Sequence, residues 1–467
     1  MTNSPLPTAT VKKVARFSEA EAALFNTLYE LIEEGKRDIV LDKIHDWHPA
    51  DIAPIVLHLP YPYARQFFQW LPTELASGVL AELDDEFRTS LLSEATVPRL
   101  TPLLEELDTD DAADVLSNLP PHLIAKLLPT LSDSSAIAQL LTYEEDSAGG
   151  IMAAHYVAVP NGWSVRQAIE AVRRHADQIE ELSELFVVNE HGHLLGSVSL
   201  KDLLLAVPMT PITQITDTDV VSVPTDMDQE EVALVMERYD MLSLPVVDDS
   251  NCLVGCITID DVVDVIREEA EEDQRKMGGI SADEQPTSSV WQIVRGRLPW
   301  LLGGLLGAGL AATVVGSFES ELQRAVILAS FIPIVMAMAG NAGIQSATIA
   351  VQGLASGEVW SSDLLPRLSK ELLGAVVNGL VVAVTLIISI LLFSTVMNFD
   401  NPLKLALTSS LSLFLVVIIA ASLGATIPLL LHRFGIDPAV ATGVFITTGN
   451  DIIGVFIFFV IATQIYL

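Results

Sequence analysis

Residues Pro438–Leu467 read PAVATGVFITTGNDIIGVFIFFVIATQIYL, a mostly apolar run with a single charge, Asp451, near its middle. A hydrocarbon core of about 30 Å is crossed by roughly 20 apolar residues in a helix, so this stretch is long enough to span a membrane. A carboxylate inside a span costs about 2.5–3.5 kcal/mol on insertion scales, and no basic residue lies in any long apolar run to pair with it. One reading is an Asp that snorkels or stays protonated near a helix end. The other is an ion site facing an aqueous path. The small or polar neighbours Thr447, Thr448, Gly449 and Asn450 suit a water-lined wall, and the second reading is the expectation here.

Upstream, Leu298–Phe318, Ala325–Gly357, Leu372–Phe399 and Leu405–Leu431 contain no charged residue. Five transmembrane helices are therefore expected, at about 298–318, 325–355, 372–397, 405–431 and 439–466. Arg295, Arg297, Arg367, Lys370 and Arg433 flank the spans on one side, against Arg324 and Lys404 on the other. Excess basic residues mark the cytoplasmic face, which places the N-terminal half in the cytoplasm and the C-terminus outside the inner (plasma) membrane. Met1 to Phe17 is polar, so no signal peptide is expected.

The second span contains Pro333 followed by Gly340-Asn-Ala-Gly-Ile-Gln345. Proline removes a helical hydrogen bond and glycine weakens the helix, so a broken backbone is expected there, of the kind tolerated at membrane depth where it lines a cavity. Freed carbonyls with the Asn341 and Gln345 amides would be oxygen ligands for a hard cation or its waters. The candidate pore lining is Gly340, Asn341, Gly343, Gln345, Thr447, Thr448 and Asn450. The alternative is a glycine helix contact, of which Gly303 and Gly307 in the first span are the better example.

The chain carries a net charge of −35 over 467 residues. Of its acidic residues 52 of 60, and of its basic ones 20 of 25, lie in residues 1–297, a net −32. That charge repels nucleic acid and favours cations as ligands. Cys252 and Cys256 have no second pair to complete a zinc set and read as reduced strand cysteines. The nine histidines are scattered and no Gly-rich phosphate loop appears, which argues against an enzyme.

Two kinds of repeat fill the soluble half. The segments His48–Pro60, Leu71–Leu83 and Leu107–Leu119 each place a polar or acidic cap before a short apolar helix, suggesting a helical superhelix. Further on, Val157-Ala-Val-Pro160, a helix, Leu185-Phe-Val-Val188 and Leu194–Asp202 recur as Val221-Ser-Val-Pro224, a helix, Leu244-Pro-Val-Val247 and Leu253–Asp261. This β-α-β-β-α order resembles a CBS-domain pair, a module that senses ligands in unrelated proteins.

The order superhelix, CBS pair, acidic helix and five spans resembles the MgtE family of magnesium channels. The resemblance rests on Tyr143, Ser147-Ala-Gly149 and Met152, on Pro333 with Gly340–Gln345, on Asp437-Pro-Ala439 and on Thr447–Asp451. It implies an N-terminal tail (1–19), a helical sensor domain (20–142), a CBS pair (143–261), a connecting helix and linker (262–290) and a membrane domain (291–467). It further implies a homodimer, in membrane lipid, with the pore on the two-fold axis and hydrated magnesium held by Asp451 of each subunit. Asp437 matches an acidic residue at the cytoplasmic gate. The family's regulatory magnesium sites fall on Asp110 and Asp114, on Glu230 and Asp240, and on Asp261, Asp264, Glu269, Glu272 and Asp273. ATP or another adenine nucleotide is implied at the CBS pair, where Asp202 could hold a ribose, although Met241 stands where a stacking aromatic is expected.

Along Asp260–Met277 the residues Asp261, Asp264, Glu268 and Glu272 fall near one stripe, where like charges oppose each other by a few tenths of a kcal/mol per pair. Glu271–Arg275 and Glu272–Lys276 offset part of this. The expected function is a magnesium channel that takes up Mg2+ and is closed when internal Mg2+ draws these acidic parts together. A CBS-domain membrane receptor without transport and a broader carrier of Co2+, Ni2+ or Mn2+ are the alternatives.

Overall fold

The computed structural model describes residues 19–92, 95–175, 182–281, 284, 290–357, 364–397, 399 and 401–467. Nearly all of the expected polar tail, residues 176–181 and most of the expected linker at 282–289 lie outside the described residues. The chain forms two compact bodies, Met1–Gln229 with Met241–Ile259, and Glu230–Asp240 with Asp260–Leu467.

Among the described residues the first body opens with ten short helices: α1 (Glu19–Glu33), α2 (Arg37–Ile44), α3 (Pro49–His58), α4 (Tyr61–Trp70), α5 (Thr73–Ala81), α6 (Asp85–Leu92), α7 (Val97–Glu105), α8 (Thr109–Ser117), α9 (Pro121–Leu127) and α10 (Ser134–Leu140). Proline stands at or next to the start of α3, α4, α5, α7 and α9. There its fixed φ suits a helix entry and its missing N–H is no loss. Helices two apart stack on each other, α3 on α5 on α7 on α9, and α6 on α8 on α10, which makes the superhelix. The three echoing segments of the sequence are α3, α5 and α8. Gly78 lets α5 approach α3 so closely that a Cβ there would lie 2.6 Å from Pro49 Cγ. The buried Ser77 hydroxyl donates to Leu103 O of α7 at 2.6 Å.

Then come β1 (Ala158–Pro160), α11 (Val165–Arg174), β2 (Glu184–Val188), β3 (Leu194–Ser199) and α12 (Leu200–Leu205), repeated as β4 (Val223–Pro224), α13 (Gln229–Tyr239), β5 (Ser243–Val247), β6 (Leu253–Thr258) and α14 (Ile259–Met277). Each sheet has a parallel pair followed by an antiparallel one, β1-β2-β3 and β4-β5-β6. The turns of the two hairpins bond to each other, Leu194 N–H to Asn251 O at 3.1 Å and Leu253 N–H to Gly192 O at 3.0 Å. Gly196 and Gly255, at matched positions of the repeats, admit a crossing segment where a Cβ would collide with Asp217 O in one and with the Met152 sulfur in the other. The ring of Tyr143 lies 2.6 Å from where a Cβ of Gly149 would be, and Met152 is buried. Tyr143, Gly149 and Met152 of the sequence motif are therefore packing residues that seat the segment before the CBS pair.

In the second body, α15 (Val290–Ser317), α17 (Ile332–Ala355), α18 (Leu364–Met397), α19 (Pro402–Arg433) and α20 (Val444–Ile465) are the long helices, with a short α16 (Glu319–Arg324) between the first two. All five are long and apolar enough to cross a membrane. Packing centres on α19, against which α17, α18 and α20 all lie, while α15 packs on α20. Lipid tails are as apolar as leucine, so such helices associate through close packing of small residues. Gly424 of α19 meets the backbone of α17 at Gly343, Gly343 meets Asn450 of α20, and Gly307 of α15 meets Thr448 of α20.

The second span is not broken. Val326–Phe331 is 3-10 helix, and α17 then runs without interruption from Ile332 to Ala355 with Pro333 in its first turn. A proline there removes a hydrogen bond that no helix makes. The expectation of freed carbonyls at Gly340 and Gly343 is thus overturned: these glycines serve helix contact.

A Cβ on Gly424 would strike the Gly343 carbonyl, which cannot rotate away, whereas one on Gly374 has nothing within 4 Å. Gly424→Ala is expected to cost about 1–3 kcal/mol of overpacking and to lower the unfolding temperature in detergent, with Gly374→Ala neutral or slightly stabilising. Equal melting temperatures for the two variants would contradict this packing.

Candidate cation pathway and its cytoplasmic entry

Asp451 sits one turn past Thr447 on α20, half-buried in the single chain, and it is the only charged residue of that helix. Thr447 and Thr448 are also half-buried, and Thr447 Oγ1 donates back to Gly443 O at 2.9 Å. Asn450, at 3% exposure, is turned into the bundle, where its Nδ2 donates to Ala339 O of α17 at 3.4 Å. Gly340 and Gly343 are buried on the same side of α17. Away from these glycines α17 exposes Ile334, Ala337, Asn341, Ile344 and Gln345, with Ile334, Ala337, Asn341 and Gln345 spaced three or four apart. Of the expected lining, Asn341, Gln345, Thr447 and Thr448 reach the surface of this chain, as Asp451 does, while Gly340, Gly343 and Asn450 are buried in the bundle and hold its helices together.

Below this, Asp437 caps a short 3-10 turn, Pro438–Ala441, that leads into α20. Its Oδ1 accepts the Ala439 N–H at 2.8 Å. Its Oδ2 pairs with Lys276 Nζ of α14 at 2.5 Å, and Lys276 also pairs with Glu272. Burial, and then the charge of Asp437, push the Asp273 carboxyl up to about 6; Lys276 opposes the push, and Glu269 and Glu272 add to it. Burial weighs against the charge of Lys276, yet its hydrogen bonds to Asp437 and Glu272 prevail and hold its pKa above the usual range. The helix pairs read from the sequence are present, Arg275–Glu271 at 3.5 Å and Lys276–Glu272, with Arg267–Asp264 at 3.0 Å added.

The other acidic candidates are spread out. Asp110 is buried in the first turn of α8, with Asp114 one turn on. Glu230 opens α13, and Asp240 follows its end with a left-handed φ of 51°. Asp261, Asp264, Glu269, Glu272 and Asp273 run along α14. Among the described residues no three His, Cys, Asp or Glu side chains stand together as a ready-made metal centre. Asp202 is held in a small cap, its Oδ2 accepting from Ser199 Oγ at 2.7 Å while its N–H donates to the same hydroxyl at 3.0 Å.

Two features escaped the sequence reading. The Lys276–Asp437 pair joins stretches far apart in the chain, and only the neighbouring helix pair was visible. The Ser346 hydroxyl, buried on α17, donates to Glu371 near the start of α18. A carboxylate flanking an apolar run was the available signal for the second.

A family model described as a divalent cation transporter matches residues 332–461, which takes in both Asn341 and Asp451. A model of the MgtE intracellular N domain matches 47–146, and CBS models match 148–208 and 212–268. "Magnesium transporter MgtE" of Bacillus subtilis (strain 168) is 33% identical over 435 residues, 93% of this chain and 95% of the relative. The chain belongs to the MgtE family. "Magnesium transporter MgtE" of Thermus thermophilus is 34% identical over 449 residues, 95% of this chain and 98% of the relative. A solved structure, "Crystal structure of the cytosolic domain of the Mg2+ channel MgtE in complex with ATP", is similar over 52% of this chain and 99% of that chain, at 37% identity and a TM-score of 0.49.

Membership of the MgtE family makes this a multi-pass membrane transporter whose N-terminal domain is intracellular, and sets aside both the enzyme and the receptor without transport. The MgtE fold also gives the three echoing helices and the two β-α-β-β-α units a common setting, as helical N domain and CBS pair.

Proposed function

We propose that this MgtE chain is a magnesium-conducting channel, working as a homodimer and closed from the cytoplasm by magnesium itself. The observation that carries the reading is Asp451, a lone carboxylate on a membrane-spanning helix, at the surface of the single chain. One carboxylate is a poor counter-charge for a divalent ion in a slab of low dielectric. Two, one from each subunit across a two-fold axis, match its charge. The amides of Asn341 and Gln345 suit the water shell that magnesium gives up reluctantly. Magnesium here is cargo, and it is also the regulatory ligand of the acidic residues on α8, α13 and α14.

The gating follows from charge. Without divalent cations the carboxylates oppose a compact arrangement; with them that arrangement is favoured and the pore shuts. Ions bias the equilibrium only through tighter binding to the closed state. The N-terminus belongs in the cytoplasm and the C-terminus outside, as the basic flanks indicate. Nucleotide binding at the CBS pair is part of the proposal, with Asp202 toward a ribose.

The test is entry of Mg2+ into liposomes holding the purified protein and a magnesium-sensitive dye, with Co2+, Ni2+ and Mn2+ run beside it. Dye response to external Mg2+, suppressed by preloaded Mg2+, is the expected result. Silence to Mg2+ in vesicles of correct orientation would remove the channel reading.

A further inference from the structure

Both carboxylate oxygens of Asp437 have partners within the protein itself. One oxygen caps the turn into α20 through Ala439 N–H, and the other holds the ammonium of Lys276. That ammonium also holds Glu272, one turn back on α14. The end of α14 is pressed against the same entry by backbone packing. A Cβ on Gly443 would lie 3.2 Å from Met277 O and 3.4 Å from Gly279 N, and one on Gly279 would lie 3.8 Å from Val444 Cγ2 and 3.9 Å from Trp300 Cβ. The helix stops here because Gly279 takes a left-handed φ of 69°. Lys276 thus stands among Glu272 and Asp273, assigned above to magnesium, and Asp437 of the gate, and its side chain is only 23% exposed.

We infer that Lys276 is a tethered counter-ion that docks the end of α14 on the pore entry without any divalent cation, and so sets the magnesium level at which the gate closes. A metal at this point would have to share or displace the ammonium. Take the ammonium away and Asp437 confronts Glu272 and Asp273 directly. Docking then waits for magnesium to neutralise them. Lys276 acts through the helix it positions and touches no permeating ion.

This inference rests on the gating proposed above, and its test separates the two. In the liposome assay, Lys276→Met is expected to raise the internal Mg2+ needed for half-closure by about 3–10-fold, the range expected for one broken contact in a coupled network. Lys276→Arg should close as the unaltered protein does. In an Asp437→Asn background, where asparagine can still cap Ala439, adding Lys276→Met should shift closure less than twofold, since the partner charge is gone. A second readout needs no flux: hydrogen exchange of the amides at 274–280 in magnesium-free buffer should quicken in Lys276→Met and not in Lys276→Arg. Overlaid closure curves, a downward shift in Lys276→Met, the same shift in the Asp437→Asn background, or unchanged exchange would each overturn the tether. Loss of closure in the unaltered protein, with the exchange difference intact, would instead overturn the gating reading and leave the tether standing.

Discussion

Asp451→Ala abolishes magnesium entry: with wild-type and variant proteins reconstituted at equal density, the initial dye response is expected to fall at least about tenfold. A doubly charged ion about 5 Å from a carboxylate gains several kcal/mol of gross attraction even at an effective dielectric constant of roughly 20. Much of that offsets the loss of outer water. Yet a residual 1.4 kcal/mol in the barrier is already a factor of about ten, so the attraction exceeds what the prediction needs. Nothing on α20 can replace the charge, since no other charged residue lies on that helix. Asp451→Asn, which keeps an oxygen in place and loses the charge, should resemble the alanine variant. Asp451→Glu should retain part of the flux. The same comparison guards against misfolding, because Asp451 is half-exposed and its replacement leaves the Asn450–Ala339 contact and the Gly343–Gly424 contact untouched. Wild-type rates in a well-folded alanine variant would disprove the role of Asp451.

The second large effect concerns closure. On the gating proposed above, changing Asp110, Asp114, Glu230 and Asp264 together to Ala should leave transport running at internal magnesium that shuts the unaltered protein. Moving a gate from 1% to 99% closed takes about 5.5 kcal/mol of differential binding, near 10⁴-fold. No three of the described acidic side chains form a preformed centre, so that energy has to be shared among weak sites. Shared over four carboxylates, it is about 1.4 kcal/mol each, one decade of the closing equilibrium per residue. Single replacements should therefore shift the half-closing concentration, and the fourfold replacement should remove closure. The measurement is the same dye assay run across a series of preloaded magnesium concentrations. A quadruple variant that still closes would show that the sensor lies elsewhere.

Much of the architecture could be read in the sequence, for identifiable reasons. Spans of this length carry their own evidence in the absence of charge. The CBS repeats are visible because both copies need the same things at the same places: a glycine at 196 and 255 where another segment crosses, and buried valines in the strands. The superhelix was legible in α3, α5 and α8, whose polar entries and short apolar runs recur. The second span was misread because the meaning of a proline depends on where the helix begins. Six residues of 3-10 helix upstream put Pro333 in the first turn, where it breaks nothing. Gly340 and Gly343 suggested weakness when read alone; the partners that explain Gly343, Gly424 and Asn450, lie on other helices. The sequence shows Lys276 only as half of a helix pair with Glu272, because its second partner, Asp437, is near only after folding.

The bonded turns of the two CBS hairpins bear on how the chain matures. Leu194 and Leu253 each give their amide hydrogen to a carbonyl of the other repeat. A buried backbone group left without a partner costs about as much as a lost hydrogen bond, so neither repeat completes its own edge. During synthesis the first repeat emerges with that edge open and waits for the second. At rates of about 5–20 residues per second, the wait for the turn at Asn251 is a matter of seconds, the interval in which an exposed strand edge invites pairing with a neighbouring nascent chain.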